Sequence, residues 1–171
     1  MSVESIRSSI EGTISYLKAN PEKAHKRATA ATAVLERGLK VRTKGPENER
    51  IISDMPATVG GEGTAPTPGW YMQAALATCN ATGIAMKAAR EGIELTTLEV
   101  SIETESDTRG IFGIDESIQV GPLNMRTRVR IGAEGVSEEK LHEIVKWNEK
   151  HSWCGNAICR SVPLETEIEI I

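Results

Sequence analysis

From Trp70 to Met86 the chain reads Trp70-Tyr71-Met72-Gln73-Ala74-Ala75-Leu76-Ala77-Thr78-Cys79-Asn80-Ala81-Thr82-Gly83-Ile84-Ala85-Met86, a run with small or apolar residues on every face of a helix. Thr67 supplies an N-cap, Pro68 suits the first helical position and Gly92 suits C′, so one long helix is expected between them. A surface helix keeps one polar face. This one, with Ala74, Ala75, Ala77, Ala81, Ala85, Ala88 and Ala89 on both sides, must be covered by a partner element, a second copy of itself included.

The rest of the chain is expected to wrap this central helix. Residues 2 to about 20 place Ile6, Ile10, Ile14 and Leu17 at helical spacing and stop at Asn20-Pro21. Thr29 to Thr43 reads as a hairpin turning at Arg37-Gly38, followed by Gly45-Pro46 and a short strand at Ile51-Ile52. Residues 98 to 105 alternate Leu98, Val100, Ile102 and Thr104 with Glu99, Ser101, Glu103 and Glu105; residues 125 to 131 alternate Met125, Thr127, Val129 and Ile131 with Arg126, Arg128 and Arg130. Opposite charges across a ladder contribute roughly 0.2–1 kcal/mol per pair, so the Glu strand and the Arg strand are expected to be antiparallel neighbours. A last strand is expected at Glu165 to Ile170, not paired with the first Glu strand. A docking helix over Glu138 to Lys150, capped by Ser137, and a shorter helix from about Gly155 to Ser161 complete an α+β chain.

Composition excludes several classes of function. A net charge of -4, with both signs mixed along the sequence, offers no positive field for nucleic acid. No run is apolar enough to span a bilayer, and the first residues lack an export pattern, so a cytoplasmic protein without membrane partners is expected. An odd count of three cysteines argues against a structural disulfide framework.

The thiols are the chemically suggestive residues. Cys79, among Ala and Leu, reads first as a small core hydrophobe whose burial holds it protonated, and reactivity would need a cation brought by the fold, for which Arg37 is the most turn-exposed candidate. Cys154, in the polar loop His151-Ser152-Trp153-Cys154-Gly155-Asn156, opens a short helix and has the better intrinsic prospects as a thiolate. Cys159 reads as core. His151, Cys154 and Cys159 match no compact metal-binding spacing, and the Gly60-Gly61-Glu62-Gly63 loop lacks the Lys of a phosphate cradle.

Ala65-Pro66-Thr67-Pro68 leading into Ala74-Ala75-Leu76-Ala77-Thr78-Cys79, followed by two strands and His151-Ser152-Trp153-Cys154-Gly155-Asn156-Ala157, resembles the OsmC/Ohr family of organic hydroperoxide reductases. The resemblance covers residues 25–171, with residues 1–20 as an added helix on a single domain. It implies an intertwined homodimer with two antiparallel sheets around the central buried helix and active sites at the subunit interface. It further implies a thiol-dependent peroxidase: Cys79 attacks an organic hydroperoxide, the resulting sulfenic acid is resolved as a disulfide by Cys154, Arg37 assists the thiolate, and an external dithiol reductant closes the cycle with no bound cofactor or metal. Ala, Met and Trp70 around the thiol favour an apolar substrate tail.

Two positions depart from the family pattern. The Glu that commonly follows the helix-starting Pro is Gly69 here, leaving Glu62 as the carboxylate to orient Arg37. Aligning Asn156-Ala157 with the family's second-cysteine stretch puts Ser152 in the cysteine slot and Cys154 two residues late. These departures favour an alternative, a non-catalytic protein of the same fold binding a small apolar ligand in the dimer cleft; a purely structural dimerisation domain is the third reading.

Overall fold

The computed structural model describes residues 2–171 and resolves into two compact units, one formed by the residues up to Ser8 with Leu76–Ile171 and the other by Ser9–Ala75. The chain is α+β with two antiparallel sheets, as its alternation patterns lead one to expect.

Two helices have residues in both units. Helix α1 (Val3–Ala19) keeps Ile6, Ile10, Ile14 and Leu17 half-buried and ends before Pro21, which begins a short 3-10 turn. Helix α2 (Pro68–Arg90) is the long helix expected between Thr67 and Gly92: the Trp70 amide donates to the Thr67 hydroxyl at 3.3 Å, and Gly92 follows its last turn.

In the Ser9–Ala75 unit, β1 (Thr32–Arg37), β2 (Lys40–Lys44) and β3 (Arg50–Ser53) form one antiparallel meander. The hairpin turns at Gly38, and the pairing of β1 with β2 shifts register between Leu35 and Arg37, as at a bulge. Every residue of β1 is exposed, Val34 and Leu35 among them.

In the other unit, β4 (Leu95–Ser106) pairs with β5 (Pro122–Ala133) as the charge patterns require, Glu99 opposite Arg130 and Glu103 opposite Arg126. Glu99 accepts from Arg130 at 2.6 Å, and Glu103 pairs diagonally with Arg128 at 3.2 Å. The inner faces carry Leu98, Val100, Val129 and Ile131 against Ile84 and Ala88 of α2 and Ile144 of α4 (Glu138–His151). Ser137 caps α4 by accepting from the Lys140 amide. A short helix α3 (Thr108–Ile111), capped by Asp107, stands in the β4–β5 connection and lacks any hydrophobic periodicity that would have announced it.

Helices α2 and α4 approach closely at one glycine. A Cβ at Gly83 would lie 2.0 Å from Asn148 Oδ1, so any side chain there requires Asn148 to leave its place. Near the ends of the same two helices, Glu91 bonds both Lys87 and Lys140 at 2.6 Å and is held below the usual carboxylate range by these two ammonium groups.

One expected element is absent. Residues 164–171 form no strand; Leu164, Ile168 and Ile170 stand over four-fifths exposed. Their alternation fits a strand, but a strand exists only with a ladder partner, and among the described residues none pairs with them. The helix expected from about Gly155 begins earlier, as α5 (Trp153–Cys159), because Ser152 caps it.

Replacing Gly83 by Ala is expected to lower stability by roughly 1–3 kcal/mol through overpacking against Asn148. Urea unfolding monitored by circular dichroism reads this directly, and an unchanged midpoint would contradict the close approach.

Candidate active site

The site is built from a polar line along α2 and α4. Asn80 and Asn148 are both buried, 8% and 3% exposed, and Asn148 Nδ2 donates to Asn80 Oδ1 at 3.2 Å. Asn148 lies four residues after Ile144 and seven after Leu141, on the face of α4 that is otherwise apolar. Four residues further comes Ser152, whose amide donates to the Asn148 carbonyl at 2.7 Å. Ser152 ends α4 and caps α5, its Oγ accepting from the Gly155 amide at 3.0 Å.

This arrangement brings the 152–154 turn against the sulfur of Cys79, one residue before Asn80 on α2. Ser152 Oγ lies 3.6 Å from Cys79 Sγ. Burial pushes the Cys79 thiol up, but the Cys154 backbone, the Ser152 hydroxyl, the Cys154 thiol and the Trp153 backbone together outweigh it and hold the thiol below its ordinary value. Cys154 moves the other way: its burial, its bond to Cys79 and the charge of Cys79 raise it.

Three sequence expectations are corrected here. Cys79 is half-buried rather than core, and its neighbouring donors lower the thiol instead of burial holding it up. The amides that open α5 act on Cys79, not on Cys154, because the turn at Ser152 faces them towards α2; Cys154 is itself half-buried rather than exposed. Cys159 is exposed at the last position of α5 instead of core. All three thiols are free.

Asn80 and Asn148 escaped sequence reasoning as site residues, and Ser152 entered it only as the residue aligned with the family's second cysteine. The signal was present in the two Asn, polar side chains at positions whose helical neighbours are apolar.

The same unit contains a groove of about 450 Å³, with Leu76, Ile84, Met125, Val129, Val145 and Ile158 as apolar walls and Asn80, Asn148 and Ser152 as polar points. Its size and mixed lining suit a small molecule with a largely apolar body.

In the Ser9–Ala75 unit Arg37 and Glu62 form an ion pair through Arg37 Nη2 and Glu62 Oε1. Glu62 thus engages the arginine despite the Gly at position 69. Beneath that loop Asp54, 1% exposed, accepts from the amides of Met55 at 2.8 Å, Thr64 at 3.0 Å and Glu62 at 3.4 Å, and from the Thr64 hydroxyl at 2.9 Å. The Thr64 amide lowers its carboxyl most; burial opposes this, and the remaining donors carry it down to about 2 from 3.8. A Cβ at Gly61 would lie 1.8 Å from the Met55 carbonyl oxygen, so the loop closes over Asp54 only with glycine there.

His151 is turned to its own helix, with Nδ1 2.6 Å from the Trp147 carbonyl and its ring stacked on Trp147 at 4.0 Å. Among the described residues no group of three or more His, Cys, Asp and Glu side chains is placed to hold a metal ion. No helix among them is long and apolar enough to cross a membrane.

The OsmC-like protein family model matches residues 61–167, more than half of the chain. An OsmC-like protein from Mycoplasma pneumoniae superposes with a TM-score of 0.66 at 17% identity, covering 79% of this chain and 89% of that one. An OsmC-like protein from Vibrio cholerae gives 0.64 at 11% identity, covering 77% and 94%. An organic hydroperoxide resistance protein OsmC from Legionella pneumophila gives 0.55 at 18% identity, covering 78% and 91%. At these identities the likeness is one of fold. No curated protein sequence matches the chain.

Two measurements check the site. Iodoacetamide alkylation resolved by residue is expected to reach half-maximal rate at lower pH for Cys79 than for Cys154; equal or reversed midpoints would falsify the donor arrangement. For Asp54 the depressed folded pKa means that its stabilisation is present above the unfolded value of 3.8 and is lost as pH falls towards about 2. Asp54→Asn is therefore expected to melt below wild type near neutrality, with the gap closing on acidification through that window in thermal melts.

Proposed function

This chain belongs to the OsmC-like protein family, and on that premise we propose that it is a thiol-dependent peroxidase that reduces organic hydroperoxides. The observation that supports this most is the placement of the turn into α5, which carries the second thiol Cys154, against the Cys79 sulfur. The Legionella relative named above, an organic hydroperoxide resistance protein, favours the same substrate class.

Cys79 is the attacking thiolate. Its sulfur takes the terminal oxygen of R–O–O–H, the O–O bond breaks as the S–O bond forms, and the alkoxide leaves as R–OH with a proton from water. Sulfur is oxidised by two electrons to the sulfenic acid and the peroxide is reduced by two. The Cys154 sulfur then attacks the sulfenic sulfur, an S–S bond forms and water departs. An external dithiol reduces this disulfide by two exchanges and leaves as its own disulfide.

Arg37 is assigned to the thiolate and to the charge developing on the leaving oxygen, with Glu62 as the carboxylate that orients it. Their ion pair supports this assignment. The working form is a homodimer. Exposed apolar groups on β1 and the strand-patterned, unpaired segment after Pro163 favour this, since each lacks the partner its pattern demands. Residues 25–171 are read as one family domain to which residues 1–20 add a helix. Three free thiols suit a reducing cytoplasm.

A second reading, a non-catalytic binder of a small apolar ligand, is favoured by the groove walled by Leu76, Ile84 and Val129.

Titration of the reduced protein with cumene hydroperoxide, counting free thiols, distinguishes the two. Wild type is expected to lose two thiols within minutes and to recover them with a dithiol; Cys79→Ser is expected to lose neither. Cys154→Ser is expected to stop at a sulfenic acid that dimedone traps. Arg37→Ala is expected to slow oxidation of Cys79 by about tenfold or more, a loss of at least ~1.4 kcal/mol of transition-state stabilisation. Retention of all thiols in wild type, together with a raised melting temperature on adding an apolar ligand, selects the binder.

A further inference from the structure

We propose that Ser152 is a catalytic residue of this site: its hydroxyl donates to the Cys79 sulfur and favours the thiolate over the thiol. The role rests on Cys79 being the attacking thiolate, as proposed above.

Hydrogen-bond accounting fixes the direction of the donor. A serine hydroxyl has one proton to give and two lone pairs to accept with. One lone pair takes the Gly155 amide at 3.0 Å, and Cys79 Sγ stands 3.6 Å away on the other side. While Cys79 carries its proton, either atom serves as donor. Once the sulfur is an anion it has no proton, and the hydroxyl alone donates. A donor that strengthens only in the charged state lowers the pKa of the group it faces.

The hydroxyl is also held in place. The Ser152 amide donates to the Asn148 carbonyl at 2.7 Å, and the Ser152 carbonyl accepts from the Asn156 amide at 2.9 Å and from Asn156 Nδ2 at 2.8 Å. Every polar atom of the residue therefore has a partner. At 3% exposure water does not compete for the hydroxyl, and a fixed donor in such a place need not reorganise as the sulfur ionises. The same cap directs the Trp153 and Cys154 backbones at the sulfur, so Ser152 both donates and positions the other donors. No proton is transferred: the hydroxyl keeps its hydrogen throughout, and the bond weakens when the sulfur becomes neutral.

The test uses the full chain with Cys154 and Cys159 replaced by Ser, which leaves Cys79 as its single thiol. The pH dependence of iodoacetamide alkylation gives the midpoint of Cys79 ionisation. Ser152→Ala in this background is expected to raise that midpoint and to slow alkylation at neutral pH by about three- to tenfold. Ala also removes the helix cap, so Ser152→Gly is the companion variant, because Gly lacks the hydroxyl yet caps a helix within a few tenths of a kcal/mol of Ser. Gly is expected to show the same rise while keeping the thermal melt close to the reference. A Gly variant that melts like the reference and titrates like it overturns the proposal, as does an unshifted Ala variant. Because no peroxide enters this assay, its outcome is independent of whether wild type consumes cumene hydroperoxide, and the two readings fail separately.

Discussion

The contact between Cys79 and the turn at residues 152–154 is the constraint on which the chemistry of this protein depends. A half-buried sulfur among alanines is, by its surroundings alone, an inert thiol. It becomes acidic because the C-terminal end of one helix and the start of the next meet at a single residue, Ser152, leaving amides and a hydroxyl facing α2. The Asn80–Asn148 bond and the glycine at position 83 set how near α2 and α4 come, and so decide whether the turn reaches the sulfur. Two buried amides linked to one another cost less than two left alone, and they fix the register of the helices where an apolar contact would let them slide.

The unit containing Arg37 follows a similar logic with charge in place of thiols. Asp54 has four donors gathered around a buried carboxylate, and the chain between it and Thr64 must fold back tightly enough to deliver them. One of those donors is the amide of Glu62, whose own carboxylate meets Arg37. The loop that looks in sequence like a loose run of glycines is thus tied down by a residue ahead of it.

Much of the scaffold was legible because its signals are local. The Thr67-Pro68 start and Gly92 stop of α2, the hairpin at Gly38, the Ser137 cap of α4 and the Glu-against-Arg pairing of β4 and β5 each follow from neighbouring residues or from a two-residue period. The resemblance singled out Cys79 and Cys154, but not the direction in which each thiol shifts. That depends on where the α5 amides aim, which is set by the angle between two helices and not by the residues of either. The segment 164–171 failed for a related reason: alternation states that a strand is possible, while pairing requires an edge that the sequence of the segment does not contain.

The opposite shifts of the two thiols carry a consequence for timing. Burial raises Cys154 most, and its bond to Cys79 and the charge of Cys79 raise it further. In the proposed cycle, a step that neutralises the first sulfur lifts the later restraint and leaves the burial in place, so the second thiol is eased once the first has fired.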